Sequence, residues 1–465
     1  MTEAPRLVIV GGSDAGISAG LRARELDPTA EVTLVVADAF PNFSICGIPY
    51  WISGEVTQRS NLAHRTREDL EAAGLNLRLD TVAERIAVDQ HQLVVRTPDG
   101  ATDTLPYDRL VVGTGAVPAR PPIPGIDLPG VHLLHSIGDA TAVYDALDGA
   151  RTAVIIGAGY IGVEMADGLT VRGIEVSPIE QAPAALTTVD TELGMLVVDE
   201  LANRGVRCAF GVKVTGITQI DGHLAVTTDG ELTAEGDVVL VLAGVVPDTQ
   251  LLRDAGARLG VRGAVVVDRQ MRTGLTDVFA AGDCVETHRQ FLDTPAYTPL
   301  GSTAHKQGRV AGENAVGGSA EFAGSLGTQA VKVFDLVVAA TGLRETAARA
   351  EGFDAVTAET VADDHKAYYP GATPLRIRIV GDREHGVLLG AQILGHRNGQ
   401  VSKRIDTLAT ALYHRMTVAE VSDLDLSYTP PLSSPWDPIQ MACQAWERTR
   451  IQELQPAFAT IEESE

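Results

Sequence analysis

The sequence predicts an α/β protein with two interleaved Rossmann-like dinucleotide-binding domains. Two observations predict the paired folds: a glycine-rich turn follows a short apolar strand at residues 11–16, and another does so at residues 157–162. A third observation, an apolar strand that closes on Gly282-Asp283, indicates that the chain returns to the first domain after building the second. Strands of parallel sheets are buried on both faces, so continuous apolar runs of this kind are expected.

The composition narrows the possible functions. The 465 residues are enough for roughly three domains. Acidic residues outnumber basic ones by 61 to 37, which gives a formal charge of −24, and aromatic residues are only 5% of the chain. Such a surface repels nucleic acid and anionic lipid, so we expect small-molecule or protein partners. No apolar run reaches the ~18 residues that a membrane helix needs, and the N-terminus has no signal-peptide pattern, so we expect a cytoplasmic protein.

The first nucleotide site is predicted at the N-terminus. A strand over Arg6–Val10 leads into the turn Gly11-Gly12-Ser13-Asp14-Ala15-Gly16, and a helix is expected over 17–26. Glycines in such a turn let the backbone approach a pyrophosphate, whose charge rests on the helix N-terminus. Ser13 replaces the middle glycine of the usual pattern.

Three further positions are assigned to this site. The next strand, over 31–36, should end in an acid that binds the adenosine ribose, but it ends in Val36, so Asp38 is the expected substitute. The strand before Thr114-Gly115 and the strand before Gly282-Asp283 bring two more turns toward the dinucleotide, and the Asp283 carboxylate could accept a hydrogen bond from a ribityl hydroxyl. This order of turns predicts FAD as the first cofactor.

The second nucleotide site has an intact glycine fingerprint. A strand over 153–156 precedes Gly157-Ala158-Gly159-Tyr160-Ile161-Gly162-Val163-Glu164, and the next strand ends in Glu180. A carboxylate at that position bonds the ribose 2′-hydroxyl of NADH and repels the 2′-phosphate of NADPH, so NADH is the preferred prediction. Tyr160 is a plausible gate, Glu164 is expected near the nicotinamide, and Gly244 marks the return toward the first domain.

The segment Asn42-Phe43-Ser44-Ile45-Cys46-Gly47-Ile48-Pro49-Tyr50 follows the first site. We interpret Cys46 as a redox-active thiol that faces the flavin, with Ser44 as a cofactor neighbour. The alternative is a small core residue, since free cysteine is often a buried hydrophobe. The other cysteines (Cys208, Cys284 and Cys443) form no CxxC pair, so neither a disulfide framework nor a metal site is expected.

The cysteine segment resembles the single-cysteine branch of the two-dinucleotide-binding flavoproteins. This branch includes coenzyme A disulfide reductases, NADH-dependent persulfide and polysulfide reductases, and NADH oxidases and peroxidases. The resemblance covers nearly the whole chain. It implies an FAD domain at 1–115 and 252–322, an NADH domain at 116–251 and an α+β dimerisation domain at 323–465, with electrons passing from NADH through flavin and Cys46 to a small disulfide, persulfide or polysulfide.

The resemblance also implies residue roles in the C-terminal domain. On the matching motifs Tyr368-Tyr369-Pro370-Gly371 and Tyr428-Thr429-Pro430-Pro431, the tyrosines Tyr368 and Tyr428 would reach the Cys46 of the second subunit in a homodimer. One of them could protonate the leaving thiolate. The Cys46 thiolate would need a lowered pKa, which a helix N-terminus or the flavin could provide.

Departures from the family pattern keep other functions open. Asp14 stands where the oxidases and peroxidases have a histidine, which disfavours those activities. Of the cations that hold the phosphates of coenzyme A, Arg22 fills one position but Glu25 occupies another. The alternatives are therefore an NADH oxidase or peroxidase, and an electron-transfer flavoprotein that reduces a protein or quinone.

Overall fold

The N-terminal part of the chain builds most of a parallel sheet. The computed structural model describes residues 4–230, 232–292 and 294–462, so residues 1–3 and 463–465 of the predicted domains lie outside the described residues. The first segment contains β1 (Arg6–Val10), α1 (Asp14–Leu26), β2 (Glu31–Val35), α2 (Ile48–Ser53), α3 (Arg67–Ala72), β3 (Leu75–Arg78), β4 (Val82–Ala87), β5 (Gln92–Arg96), β6 (Thr102–Pro106) and β7 (Arg109–Val112), with 3-10 helices at Ile45–Gly47, Arg59–Leu62 and Val88–Gln90.

The second segment builds a separate parallel sheet. It contains β8 (Ala116–Pro118), β9 (Val131–Leu133), α4 (Ile137–Ala146), β10 (Thr152–Ile156), α5 (Tyr160–Val171), β11 (Glu175–Glu180), α6 (Thr191–Asn203), β12 (Ala209–Phe210), β13 (Val214–Ile220), β14 (His223–Thr228), β15 (Thr233–Gly236), β16 (Val238–Val241) and β17 (Val245–Pro247). The order of the sheet is β12-β11-β10-β16-β9, and its strand pairs are parallel. The antiparallel pair β8–β17 brings the two ends of this segment together.

The third segment returns to the first sheet. It contains α7 (Gln250–Asp254), a 3-10 helix at Val261–Gly263, β18 (Val278–Ala280), β19 (Thr287–His288), β20 (Pro295–Ala296) and α8 (Gly301–Ala315). Strand β18 pairs with β7 in parallel and completes the order β18-β7-β1-β2-β3. The interleaving of the two Rossmann-like folds is therefore confirmed. The domain boundaries stay a prediction, which the pairing of β18 with β7 supports.

The C-terminal part is a five-stranded antiparallel sheet with helices. It contains β21 (Gln329–Val333), β22 (Leu336–Gly342), α9 (Glu345–Ala350), β23 (Ala355–Asp363), β24 (Pro374–Asp382), β25 (Leu388–His396), a 3-10 helix at Arg397–Gly399, α10 (Val401–Tyr413), α11 (Val418–Ser422) and α12 (Pro438–Glu462). The strand order is β21-β22-β25-β24-β23. Among the described residues, no helix combines the length and apolar character that crossing a membrane would require.

Element boundaries differ from the predicted ones by a few residues. Helix α1 begins at Asp14 instead of Ile17, because the glycine turn itself forms its first turn and Ser13 is its N-cap. Strand β2 ends at Val35, after which the Val36 N–H bonds to the Arg78 carbonyl at 2.9 Å. These shifts leave the turns where the sequence predicts them.

Candidate active site

The first glycine turn is built for close backbone approach. Gly11 has φ +115°, and a Cβ added there would lie 2.1 Å from the Gly113 carbonyl oxygen. A Cβ on Gly16 would lie 2.0 Å from the carbonyl oxygen of Gly11. The turn is therefore restricted to glycine at both positions, and the N–H groups at the start of α1 lie beside it, as a pyrophosphate site requires.

The end of β2 differs from the usual dinucleotide site. Val36 is buried, and a Cβ on Gly12 would lie only 2.6 Å from one of its methyl groups. Asp38 is half-buried, and its Oδ1 accepts a hydrogen bond from the Phe40 N–H at 3.1 Å. Val36 thus packs against the glycine turn, and a ribose contact from Asp38 stays a prediction.

Two other turns meet the first glycine turn. The Gly282 N–H donates to Gln307 Oε1 at 2.9 Å, while the buried Gln307 Nε2 has no hydrogen-bond partner. Burial, and secondarily the charge of Asp14, raises the pKa of Asp283 to about 6. The Thr114 hydroxyl donates to the Asp248 carbonyl at 2.6 Å. These buried and half-buried polar groups fit a polar ligand such as the ribityl and pyrophosphate parts of FAD.

Backbone hydrogen bonds attach the cysteine segment to the first glycine turn. The Asn42 N–H donates to the Gly12 carbonyl at 2.6 Å, and the Ser44 N–H donates to the Leu62 carbonyl at 2.8 Å. Cys46 follows in the 3-10 helix Ile45–Gly47, directly before α2, and it is exposed. Cys284, in contrast, is fully buried.

Electrostatics show which groups surround Cys46. The nearby protein desolvates its thiol, and the charges of Glu164, Asp14 and Asp283 act in the same direction, so the pKa of Cys46 is raised. These neighbours therefore do not supply the lowered pKa that a Cys46 thiolate needs, and a contribution from a helix N-terminus or the flavin stays a prediction. These three carboxylates belong to the first glycine turn, the second fingerprint and the Gly-Asp turn, so Cys46 lies near all three segments.

The second glycine turn repeats the geometry of the first. Gly157 has φ +110°, and a Cβ there would lie 2.4 Å from the Leu242 carbonyl oxygen, whereas the space around Gly159 is open. Both carboxylate oxygens of Glu180 accept backbone hydrogen bonds, from the N–H groups of Ala158 and Ala182, each at 2.8 Å. The carboxylate is thus held against the turn, and its contact with a ribose stays a prediction.

Helix α5 contributes further predicted residues. The Tyr160 hydroxyl is hydrogen-bonded to Thr188 Oγ1 at 2.6 Å, and burial raises its pKa to about 12. Ile161 is half-buried against the core, and Gly244 has φ +94° at the start of the return path. Burial also raises the pKa of Glu164 to about 7.

Sequence reasoning assigned no role to two residues near Glu164. The Tyr50 hydroxyl donates to Glu164 Oε1 at 3.2 Å. Lys332, from β21, lies 5.5 Å from the centre of the Tyr50 ring. Tyr50 belongs to the cysteine segment, so its position was a usable signal, whereas nothing in the local sequence distinguishes Lys332.

The two predicted tyrosines lie together on the C-terminal domain. Tyr368 is 74% exposed and Tyr428 is 45% exposed. Partial desolvation is the main reason that the pKa of Tyr428 is raised, and the charge of the neighbouring Tyr368 and a hydrogen bond with it act in the same direction. The Lys366 N–H donates to the Pro430 carbonyl at 3.3 Å and joins their two loops. Their approach to a second subunit's cysteine stays a prediction.

The pairing of Arg22 and the arrangement of possible metal ligands limit which further ligands the described residues can bind. Arg22 is paired with Glu25 at 2.9 Å and with Glu313 at 2.6 Å, so two carboxylates neutralise its guanidinium. Across the described part of the chain, no group of three or more His, Cys, Asp or Glu side chains could hold a metal ion.

The chain is similar along most of its length to known flavin-dependent oxidoreductases. A family model described as pyridine nucleotide-disulphide oxidoreductase matches residues 5–308, and the dimerisation domain of that family matches residues 328–438. The NAD(P)H sulfur oxidoreductase (CoA-dependent) of Pyrococcus abyssi is 34% identical over 437 residues, which cover 93% of this chain and 96% of the relative. An NADH oxidase of Methanocaldococcus jannaschii is 30% identical over 446 residues, covering 94% and 98%. The solved NAD-dependent persulfide reductase from A. fulgidus has a TM-score of 0.92 and 35% identity, covering 96% of this chain and 84% of that one.

Proposed function

The chain belongs to the pyridine nucleotide-disulphide oxidoreductase family, and on this premise we propose that it transfers electrons from NADH through FAD and Cys46 to a low-molecular-weight disulfide, persulfide or polysulfide. Family membership makes it an oxidoreductase that uses a flavin and NAD(P)H. The observation that carries the proposal is the position of Cys46, which is exposed and lies within the electrostatic reach of Asp14, Asp283 and Glu164. An accessible thiol near the residues of both glycine turns supports this proposal.

The residues present fit FAD and NADH as the two dinucleotides. The turns at Gly11 and Gly157 have the close backbone packing typical of pyrophosphate-binding turns, and the unpartnered Gln307 Nε2 is a buried donor beside the Gly282 turn. The Glu180 carboxylate at the second turn disfavours the 2′-phosphate of NADPH, which supports NADH. When bound, the flavin supplies a ring that accepts a hydride and delivers two electrons.

The protein's part in the sulfur chemistry belongs to Cys46. Its thiolate attacks one sulfur of the acceptor, the acceptor S–S bond breaks, and a mixed disulfide forms while the other sulfur leaves as a thiolate. Tyr428, with Tyr368 beside it, is positioned on an exposed surface from which it could donate a proton to that leaving group in a homodimer. Two electrons from NADH then restore the Cys46 thiolate and release the second product.

The ion pairs of Arg22 affect which kind of electron acceptor the protein can bind. In this protein the guanidinium is paired with Glu25 and Glu313 rather than free for a phosphate. The net charge of −24 also disfavours highly anionic substrates. We therefore favour acceptors without phosphate groups over coenzyme A disulfide.

Replacement of Cys46 tests the proposal. Cys46→Ser should retain reduction of the bound flavin by NADH but lose turnover of disulfide, persulfide or polysulfide by at least about 100-fold, because serine cannot form the mixed disulfide. NADH consumption would be measured against small disulfides, coenzyme A disulfide, persulfides, polysulfide, quinone and oxygen.

Cys208→Ser is the matched control, since Cys208 is a half-buried thiol in the second nucleotide fold. It should leave sulfur turnover unchanged. Full sulfur turnover by Cys46→Ser would refute the thiol mechanism. Oxygen turnover well above sulfur turnover in the parent would favour the NADH oxidase function named for the Methanocaldococcus relative.

A further inference from the structure

A polar network lies beneath α2, where the cysteine segment, helix α5 and the C-terminal sheet meet. We call it the Tyr50 network; it consists of Tyr50, Glu55, Glu164, Asp167 and Lys332. Tyr50 Oη donates to Glu164 Oε1 at 3.2 Å, and Lys332 Nζ lies 2.7 Å from Asp167 Oδ2. These contacts join residues 114 and 165 positions apart in the chain, so they depend wholly on the tertiary fold.

Lys332 is shared among several carboxylates. Besides Asp167, it lies 3.8 Å from Glu55 Oε1 and 5.5 Å from the centre of the Tyr50 ring. Asp167 is 2% exposed, its Oδ2 also accepts the Phe334 N–H at 2.9 Å, and its Oδ1 has no partner. A buried carboxylate of this kind requires a nearby cation, because an unpaired charge in the interior is strongly destabilised.

Glu164 and Asp167 lie three residues apart on α5 and therefore on one face of the helix. Two carboxylates on one buried face repel each other, and Lys332 offsets this repulsion from the C-terminal domain. The Tyr50 hydroxyl holds one oxygen of Glu164, which leaves the other oxygen free.

We propose that Tyr50 and Lys332 are positioning residues that hold Glu164 as an oriented carboxylate for the oxidation of NADH. The inference rests on the proposed function, in which the nicotinamide docks at the second glycine turn. With NADH bound there, loss of hydride would leave a positive charge on the nicotinamide, which the oriented Glu164 carboxylate would stabilise. Tyr50 acts through its hydrogen bond, whereas Lys332 acts through its charge and through Asp167.

Each neighbour of Glu164 moves the pKa of its carboxyl group in one direction. Burial raises the pKa of Glu164 to about 7; the Tyr50 hydrogen bond and Lys332 lower it, and Asp167 raises it. Tyr160, on the same helix, and Cys46 also face this region. Loss of Tyr50 or Lys332 should therefore keep Glu164 protonated to higher pH and slow NADH oxidation near neutral pH.

The test is the rate at which NADH reduces the flavin of the holoenzyme in the absence of oxygen. This rate would be measured by stopped-flow absorbance at pH values from about 5.5 to about 8.5. In the parent, the rate should rise with pH through an apparent pKa near that of Glu164. Lys332→Met should move that pKa upward by about one pH unit, which is a tenfold change in the protonation equilibrium. Tyr50→Phe should move it in the same direction, and Lys332→Arg should restore the parent profile.

Two further variants guard against a folding effect. The double variant Lys332→Met/Asp167→Asn removes the buried Asp167 carboxylate together with its Lys332 cation. It should shift the apparent pKa of flavin reduction less than Lys332→Met alone. Lys403→Met removes a Lys–Asp pair on the surface of the same domain, where Lys403 lies 2.9 Å from Asp406, and should shift nothing. Profiles of Lys332→Met and Tyr50→Phe that superimpose on the parent would overturn the inference. Because no sulfur acceptor is present, this result is independent of whether Cys46 is required for turnover.

Discussion

At the scale of single residues, Cys46 is subject to opposing demands. Attack on sulfur requires the thiolate, yet desolvation and the charges of Glu164, Asp14 and Asp283 favour the neutral thiol. Asp14 lies in the first turn of α1, where its negative charge is favourable to the helix. The residue that helps to begin the helix therefore also raises the pKa of the proposed nucleophile.

Replacement of Asp14 should expose this restraint. Asp14→Asn removes a negative charge near Cys46, so the thiol pKa should fall and the thiolate fraction near pH 7.5 should rise. We expect the holoenzyme to be alkylated at Cys46 by iodoacetamide about threefold faster, which corresponds to about half a pH unit. The profile of alkylation rate against pH should move toward lower pH.

The control for this experiment is Asp27→Asn, at the other end of α1. It should leave the alkylation rate unchanged, and the Cys46→Ser variant gives the background from other cysteines. Equal rates for the parent and Asp14→Asn would show that Asp14 does not influence the thiol.

At the scale of elements, the packing of α8 on α1 supports the first nucleotide site. A Cβ on Gly308 would lie 2.2 Å from the Ala15 carbonyl oxygen, and one on Gly312 would lie 2.1 Å from the Ala19 carbonyl oxygen. The two helix backbones are therefore in direct contact. Gln307, on the same helix, accepts the hydrogen bond from Gly282, so this contact also sets the position of the Gly-Asp turn.

Separation of these two helices should loosen the flavin site. Gly312→Ala introduces a methyl group where there is no space, and overpacking of this kind costs about 1–3 kcal/mol. We expect a lower thermal unfolding midpoint and a lower flavin content after gel filtration.

Gly138→Ala is the matched control, because Gly138 lies in helix α4 and its added Cβ would meet only Ser136 Oγ at 3.6 Å. It should leave flavin content unchanged and hold or raise the midpoint, since alanine favours the helix. An unaffected Gly312→Ala variant would contradict the proposed dependence of the site on this contact.

At the scale of the whole molecule, the proposed chemistry needs two copies of the chain. Tyr368 and Tyr428 form a pair on the surface of the C-terminal domain, and Leu432 and Trp436 beside them are also exposed, at 59% and 65%. The family's dimerisation domain matches this region. A second subunit seated here would cover these apolar side chains and complete the site around Cys46.

Subunit complementation tests this arrangement. Cys46→Ser and Tyr428→Phe, each poorly active alone, would be co-expressed with different tags so that hybrid dimers form. If Tyr428 serves the Cys46 of the other subunit, each hybrid has one intact site, and a random mixture should recover about one quarter of the parent's sulfur turnover.

Each single variant, expressed with both tags, provides the baseline for the mixture. If Tyr428 acts within its own subunit, each hybrid instead combines one Cys46→Ser site with one Tyr428→Phe site. The hybrids would then remain at the baseline, and the cross-subunit role would be refuted.

Local patterns were sufficient to predict much of this protein. Apolar runs followed by glycine turns predicted β1, β10 and the helices after them, because such turns are formed by neighbouring residues. The return of the chain at Gly282-Asp283 was predicted and is confirmed by the pairing of β18 with β7.

The sequence by itself determined the family, the order of the two nucleotide folds and the position of Cys46 in the chain. Each of these is carried by short motifs of neighbouring residues and by the order in which the motifs follow one another. Only the tertiary structure decided the environment of that thiol and of Glu164. The raised pKa of Cys46 and the contacts of Glu164 and Asp167 with Tyr50 and Lys332 arise between residues far apart in sequence. Burial and through-space charge depend on distance in the folded molecule, and no local pattern encodes that distance.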